Sequence, residues 1–254
     1  MVEPEFDAVV TALRAAGCVF AEQEAEILVD SASNPQALVE MLGRRVAGEP
    51  LEHIVGWVWF CGRRIAVESG VFVPRRRTEF LVECAAALHP SVLLDLCCGS
   101  GAVGLSVAGV TELHAVDIDP VAVQCAERNL AAVGGTAHCG DLFDALPPEL
   151  QGRFHAIVVN APYVPTSEIE LMPREARLHE PHIALDGGVD GVRLHRRVAA
   201  QAAEWLAPRG SLLIETSALQ ADSTLQALSE AGFLAGLRES ERFDAVVAIG
   251  STSR

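Results

Sequence analysis

Val92-Leu-Leu-Asp95-Leu-Cys97-Cys98-Gly99-Ser-Gly101-Ala-Val-Gly104 decides the fold of this chain. Its first five residues are a short apolar run broken by one acid, the composition of a buried strand. Three glycines within six residues then turn the chain tightly, and the segment beyond opens a helix. The same alternation continues on both sides. From Pro74 onward, strands are expected at Val92–Leu96, Leu113–Val116, Thr136–Cys139, His155–Val159, Ser211–Glu215 and Ala245–Ile249. Helical stretches fall between them, most clearly Pro120–Leu130 and Val192–Trp205, with Asp119 and Asp190 as candidate caps. Strand-helix alternation of this kind predicts an α/β fold, a doubly wound sheet that is parallel over most of its width. In such a sheet, ligands sit at the carboxyl ends of the strands.

Upstream of this section the pattern changes. Residues 1–53 read as a small helical N-terminal domain. Phe6, Val9, Val10 and Leu13 share one helical face and Gly17 follows as a stop. A second helix carries Ala25, Leu28 and Val29, and a third starts at Asn34-Pro35 and presents Leu38, Met41 and Leu42. Residues 54–73 read as a β-hairpin link, with Trp57 and Trp59 on one face, Gly62 at the break, and Ile65, Val67, Val71 and Val73 alternating beyond it. Residues 74–254 form the catalytic domain in this reading.

Composition narrows the function classes. Half of the 254 residues are apolar, and no apolar stretch approaches the roughly 20 residues of a membrane helix. The opening Met-Val-Glu-Pro-Glu lacks the features of a secretion signal, so a cytoplasmic protein is expected. The formal charge is −15, and all 19 basic residues are arginines. Binding a phosphate backbone requires clustered cations, and Arg75-Arg76-Arg77 is the only dense cluster, which disfavours a nucleic-acid partner. The seven cysteines are irregularly spaced and read as buried or loop thiols of a reducing compartment, with no metal set.

Gly99, Gly101 and Gly104 match G-x-G-x-x-G, and Asp117 follows 18 residues after Gly99. On spacing alone this also fits a dinucleotide site. Asp95 discriminates. Its carboxylate, at the strand tip, would repel a pyrophosphate but favour the ammonium and sulfonium of S-adenosylmethionine. Asp117 is placed to accept hydrogen bonds from ribose hydroxyls. Asp141, or the neighbouring amide of Leu142, can meet the exocyclic amine of an adenine.

A second motif, Asn160-Ala161-Pro162-Tyr163, ends the apolar run Ala156–Val159. It leaves an amide side chain and backbone carbonyls at the sheet's carboxyl edge. That arrangement can hold a planar NH2 group by both hydrogens, and the ring of Tyr163 can stack on a flat amide. The combined motifs predict transfer of a methyl group to an amide or amine nitrogen. His155, His179 and His182 are given no catalytic role.

Asp-x-Cys-x-Gly-Ser-Gly, Ala-Val-Asp-Ile-Asp-Pro (115–120), Gly-Asp-Leu (140–142) and Asn-x-Pro-Tyr occur in the order seen in class I methyltransferases acting on exocyclic or amide nitrogens. Residues 49–56, 73–83 and 179–191 narrow this: the chain resembles the HemK-type protein-(glutamine-N5) methyltransferases, which modify the glutamine of the Gly-Gly-Gln motif in peptide chain release factors. The resemblance implies S-adenosylmethionine as cofactor, held by Asp95, Cys97, Gly99, Gly101, Asp117, Ile118, Asp141, Leu142 and Asn160. It implies catalysis by Asn160, Ala161, Pro162 and Tyr163, and a release factor as protein substrate of a monomeric enzyme. The chain departs from the family at Ala161 and Arg76, where proline is usual, and in an N-terminal part shorter by about a helix. An adenine-N6 nucleic-acid methyltransferase and a small-molecule N-methyltransferase are the alternative readings.

Overall fold

The computed structural model describes residues 6–172 and 174–252, the side chains of 174–176 excepted. Its centre is a seven-stranded sheet of β3 (Val92–Leu96), β4 (Glu112–Asp117), β5 (Thr136–Cys139), β6 (Phe154–Val159), β7 (Leu206–Thr216), β8 (Leu234–Ser240) and β9 (Ala245–Ser251). The strand order is β5-β4-β3-β6-β7-β9-β8. The first five strands run parallel, and β9 pairs antiparallel with both β7 and β8. The expected doubly wound, mostly parallel sheet is therefore present.

Alternation along each strand feeds two cores. Leu93, Ala115, Ala156, Val158 and Leu213 face one side, where α5 (Glu79–Ala86), α6 (Ala102–Ser106) and α7 (Pro120–Leu130) contribute Leu81, Ala102 and Ala126. Leu94, Leu96, Ile157, Val159 and Leu212 face the other, against Val198 and Trp205 of α9 (Arg193–Trp205) and Leu228 of α10 (Ala221–Glu230). Burial on both faces is why the central strands read as apolar runs rather than as alternating ones.

Strand β8 was not expected from the sequence. It is an edge strand, Leu-Ala-Gly-Leu-Arg-Glu-Ser, mostly exposed, with too little apolar pattern to stand out. Asp119 caps α7 as expected, accepting the Val121 N–H at 2.9 Å. Asp190 does not cap α9 itself. It accepts from Val192, the residue before the helix, and pairs with Arg196.

Before the sheet, α1 (Phe6–Ala15), α2 (Ala21–Ser31), α3 (Pro35–Val46) and α4 (Leu51–Val55) enclose a third cluster around Val9, Leu13, Ala25, Leu28 and Leu38. Asn34 caps α3 by accepting the Ala37 N–H at 3.0 Å. The hairpin is β1 (Trp57–Phe60) and β2 (Arg63–Ala66), joined by a two-residue turn. Ile54 and Val55, expected in the link, instead close α4. Trp59 is exposed; the inward face carries Val58, Phe60 and Ile65. Asn129 of α7 bonds both the N–H and the carbonyl of Ala66 at 2.9 Å, which ties the hairpin to the sheet domain. Among the described residues, no helix is long and apolar enough to cross a membrane.

Candidate active site

A cavity of about 580 Å³ opens over the carboxyl ends of β3, β4, β5 and β6. Its floor is the glycine turn. Gly101 adopts φ +74°, which lets the chain reverse into α6. Gly104 packs against the strand it left: a Cβ there would lie 2.8 Å from Leu113 Cδ1 and 3.0 Å from Asp95 Cβ. That approach lets the Gly104 N–H donate to Asp95 Oδ2 at 2.7 Å.

Asp95 is almost wholly buried yet lines the cavity. Burial raises its pKa to about 7; the Gly104 amide opposes this and the neighbouring Asp117 adds to it. Asp117, at the end of β4, is also raised by burial. Its two oxygens accept the N–H groups of Gly99 (2.8 Å) and Asp119 (3.0 Å), so this acid shapes the glycine turn as well as facing the cavity. Two acids whose ionisation is resisted by burial make a site that suits a cation.

The sequence-derived cofactor residues Asp95, Cys97, Gly99, Asp117, Ile118, Asp141, Leu142 and Asn160 all line this one cavity. Gly101 does not. Its Cβ position faces Ala126 at 3.3 Å, so it serves the packing of α6 on α7. Asp141 pairs with Arg197 of α9 at 2.8 Å, a cation that spacing gave no reason to place here. Burial pushes the Cys97 thiol up, with Asp117 and Asp95 adding to the effect, so it remains protonated.

Asn160, Ala161, Pro162 and Tyr163 also face the cavity. Asn160 Nδ2 donates to Thr78 Oγ1 at 3.4 Å, which leaves Oδ1 as the free end of the amide. Arg77 stands 5.5 Å over the Tyr163 ring, and burial raises the phenol pKa to about 12. Behind the motif, the segment 182–191 acts as a clamp. Val164 exchanges backbone bonds with Leu185 (3.2 Å) and Gly187 (2.8 Å), Thr166 N–H donates to Gly188 O at 2.9 Å, and Gln220 Nε2 donates to the Tyr163 carbonyl at 2.7 Å. Asp186 Oδ1 accepts from Thr166 Oγ1 (2.6 Å) and Gly188 N–H (2.9 Å). The motif of residues 179–191 is thereby explained: it holds the Asn160–Tyr163 loop from behind. His182 lines the cavity, whereas His155 lies at the opposite end of β6, accepting the Val92 N–H at 3.1 Å.

Sequence reasoning missed the wall of the cavity formed by Arg75, Arg77 and Thr78. Arg75 pairs with buried Glu180, and Arg77 Nε lies 3.4 Å from buried Glu215 Oε1. The signal available was the Arg-Arg-Arg-Thr-Glu run itself, the densest cation cluster in an acidic chain.

The strand order, with its antiparallel β9 beside β7, and the cavity over the strand ends define a class I methyltransferase fold. Residues 63–188 match the family model described as Methyltransferase small domain. A methyltransferase from Pyrococcus furiosus has the same fold (TM-score 0.57, 13% identity, covering 75% of this chain and 89% of that one). So does the 16S rRNA N2 G1207 methyltransferase of T. thermophilus, solved with AdoMet and guanosine (TM-score 0.55, 20% identity, 77% and 49%). The release factor glutamine methyltransferase of Geobacter sulfurreducens is 37% identical over 214 residues, 80% of this chain and 74% of that protein. That of Bifidobacterium longum is 32% identical over 91% of this chain and 87% of its own length. This chain belongs to the release factor glutamine methyltransferase family. It spans between 62% and 87% of the length of such relatives.

Proposed function

We propose that this protein transfers a methyl group from S-adenosylmethionine to the side-chain amide nitrogen of a glutamine in a peptide chain release factor. The observation that carries the reading is Asn160: its amide nitrogen is engaged by Thr78, its oxygen is left for an acceptor, and it shares one cavity with Asp95 and Asp117.

The chemistry of the cavity fits this cofactor. Asp95 is a buried acid that a cation would bring to its ionised form, and a pyrophosphate would meet both acids at close range. Asp117 would accept from the ribose hydroxyls, and the half-exposed Ile118 offers apolar surface beside it. Asp141 and the Leu142 amide would meet the adenine amine. Gly99 and Cys97 supply backbone along the same wall. When bound, S-adenosylmethionine supplies an electrophilic methyl group on a sulfonium sulfur.

The protein's own contribution is to position the acceptor. An amide nitrogen is a weak nucleophile because its lone pair is delocalised into the carbonyl. Asn160 Oδ1 and the Ala161 carbonyl would accept its two hydrogens, fix its direction, and stabilise the positive charge that grows on nitrogen. Orientation of this kind can lower a barrier by up to roughly 7–11 kcal/mol. Pro162 restricts the loop and Tyr163 offers its ring to the flat amide. The proton is then lost from the methylated nitrogen to water, so no histidine is assigned as a base.

The four N-terminal helices would dock the protein substrate, with residues 56–73 as link and residues 74–254 as the catalytic unit of a cytoplasmic monomer. An acidic chain of charge −15 supports a protein acceptor over DNA or RNA. The test is incubation with labelled S-adenosylmethionine, the host's release factors and duplex DNA, followed by peptide mapping. Label on the Gly-Gly-Gln glutamine is the expected result; label on DNA and none on a release factor would overturn the reading.

A further inference from the structure

An asparagine amide can present either end to a ligand, and only its oxygen can accept hydrogens from another NH2 group. Something must therefore decide which end of Asn160 faces the cavity. Its nitrogen donates to Thr78 Oγ1 at 3.4 Å, but a hydroxyl both donates and accepts, so this contact alone leaves the direction open. What commits Thr78 to accepting is the destination of its own hydrogen.

Glu215 lies where that hydrogen would go. Val159 of β6 is paired with Ile214 of β7, so Asn160 and Glu215 follow them at the same level on neighbouring strands. Thr78, wholly buried in the turn before α5, follows Arg77 directly in sequence, and its hydroxyl opposes the rise that burial imposes on the Glu215 pKa. Glu215 is itself buried, Arg77 Nε stands 3.4 Å from its Oε1, and its Oε2 has no partner among the described residues. Burying an acid in this way is costly, and packing alone does not require one. An ionised carboxylate differs from glutamine in one useful respect: it can only accept.

We infer that Glu215 and Thr78 form a positioning relay that fixes the orientation of the Asn160 amide, so that Oδ1 faces the methyl acceptor. Glu215 accepts from the Thr78 hydroxyl, the Thr78 oxygen accepts from Asn160 Nδ2, and the Asn160 oxygen is left for the substrate. With glutamine at position 215, an NH2 group can donate to Thr78, which then donates to Asn160 Oδ1 and turns Nδ2 toward the cavity. The inference rests on the proposed role of Asn160.

The test compares Thr78→Val, which is isosteric and lacks the hydroxyl, with Thr78→Ser, which restores it, and with Glu215→Gln. Thr78→Val and Glu215→Gln are expected to lower kcat on the release factor by at least about tenfold. Calorimetry is expected to show S-adenosylmethionine affinity within about twofold of wild type, and Thr78→Ser is expected to recover most of the turnover. Independently of turnover, the Asn160 side-chain NH2 resonances, assigned by their loss in Asn160→Asp, should move in Thr78→Val and Glu215→Gln and return in Thr78→Ser. Wild-type kcat with unmoved resonances in both variants would overturn the relay, as would losses in Thr78→Ser equal to those in Thr78→Val. The resonance measurement needs no methyl acceptor. If wild type itself methylates no release factor, the substrate reading fails while the relay is still decided.

Discussion

Acidification from about pH 7.5 to about pH 5.5 should weaken S-adenosylmethionine binding by roughly 25-fold, or about 2 kcal/mol, in the limit where only ionised Asp95 binds. Burial is the main reason the Asp95 pKa stands at about 7, with Asp117 adding to the shift and the Gly104 amide opposing it. A cationic ligand favours the carboxylate, so affinity is present above pH 7 and is lost as pH falls through it. The sign for the ligand-free protein is opposite. A carboxyl raised from 3.8 to about 7 contributes stability that is complete below pH 3.8 and lost as pH rises through 7. Raising the carboxyl from 3.8 to about 7 corresponds to at most roughly 4 kcal/mol. Burial raises Asp117 as well, so its protonation acts on binding in the same direction as that of Asp95. The ligand's own ammonium titrates near pH 8, outside most of this window. Calorimetry at several pH values, on wild type and Asp95→Asn, is the assay. Asparagine keeps an acceptor for the Gly104 N–H, so the variant should be the more heat-stable protein at about pH 7.5, bind the cofactor weakly, and lose about one proton of pH dependence. An affinity flat across the window, or a slope unchanged in Asp95→Asn, would refute the reasoning.

Gly104→Ala should destabilise the protein by about 1–3 kcal/mol and weaken cofactor binding, because the new Cβ meets Leu113 Cδ1 and Asp95 Cβ and breaks the bond that holds the carboxylate; thermal melts and calorimetry read both. Asn160→Ala should leave cofactor affinity nearly intact and lower kcat by about 10²-fold or more, since the amide acts on the acceptor; a variant methylating at wild-type rate would remove the role given to this residue. Ala161→Pro should stay within about threefold in kcat/KM, roughly 0.7 kcal/mol, because proline retains the carbonyl and favours an extended Asn160. A loss beyond about tenfold with unchanged cofactor binding would show that the site has diverged from its family pattern.

What could be read from the sequence, and what could not, follows from the range of the interactions concerned. The glycine turn and the strand ends were legible because their constraints are local: Gly104 must be small because the helix folds back on the strand nine residues earlier, and Asp119 caps the helix that starts beside it. Strand β8 was lost because an exposed edge carries no face to bury, and its pattern is correspondingly flat. Gly101 sits inside a legible motif, yet the motif does not say which glycine lines the ligand and which packs a helix; Ala126, 25 residues away in sequence, decides that. The same limit hid the wall of the site. Thr78 and Glu215 are separated by 137 residues and come near each other only because α5 packs against β7, so neither could be given a role from spacing. Each nonetheless left a trace: a threonine directly after the only dense cation run, and an acid ending the apolar run Leu212–Ile214 just as Asp95 interrupts Val92–Leu96. An acid at the end of a strand that is otherwise buried on both faces is costly to keep. In this chain such acids gather at the carboxyl edge of the sheet, Asp95 and Asp117 lining the cavity and Glu215 on the strand beside Asn160, which makes that edge the place to look for function before any side chain has been placed.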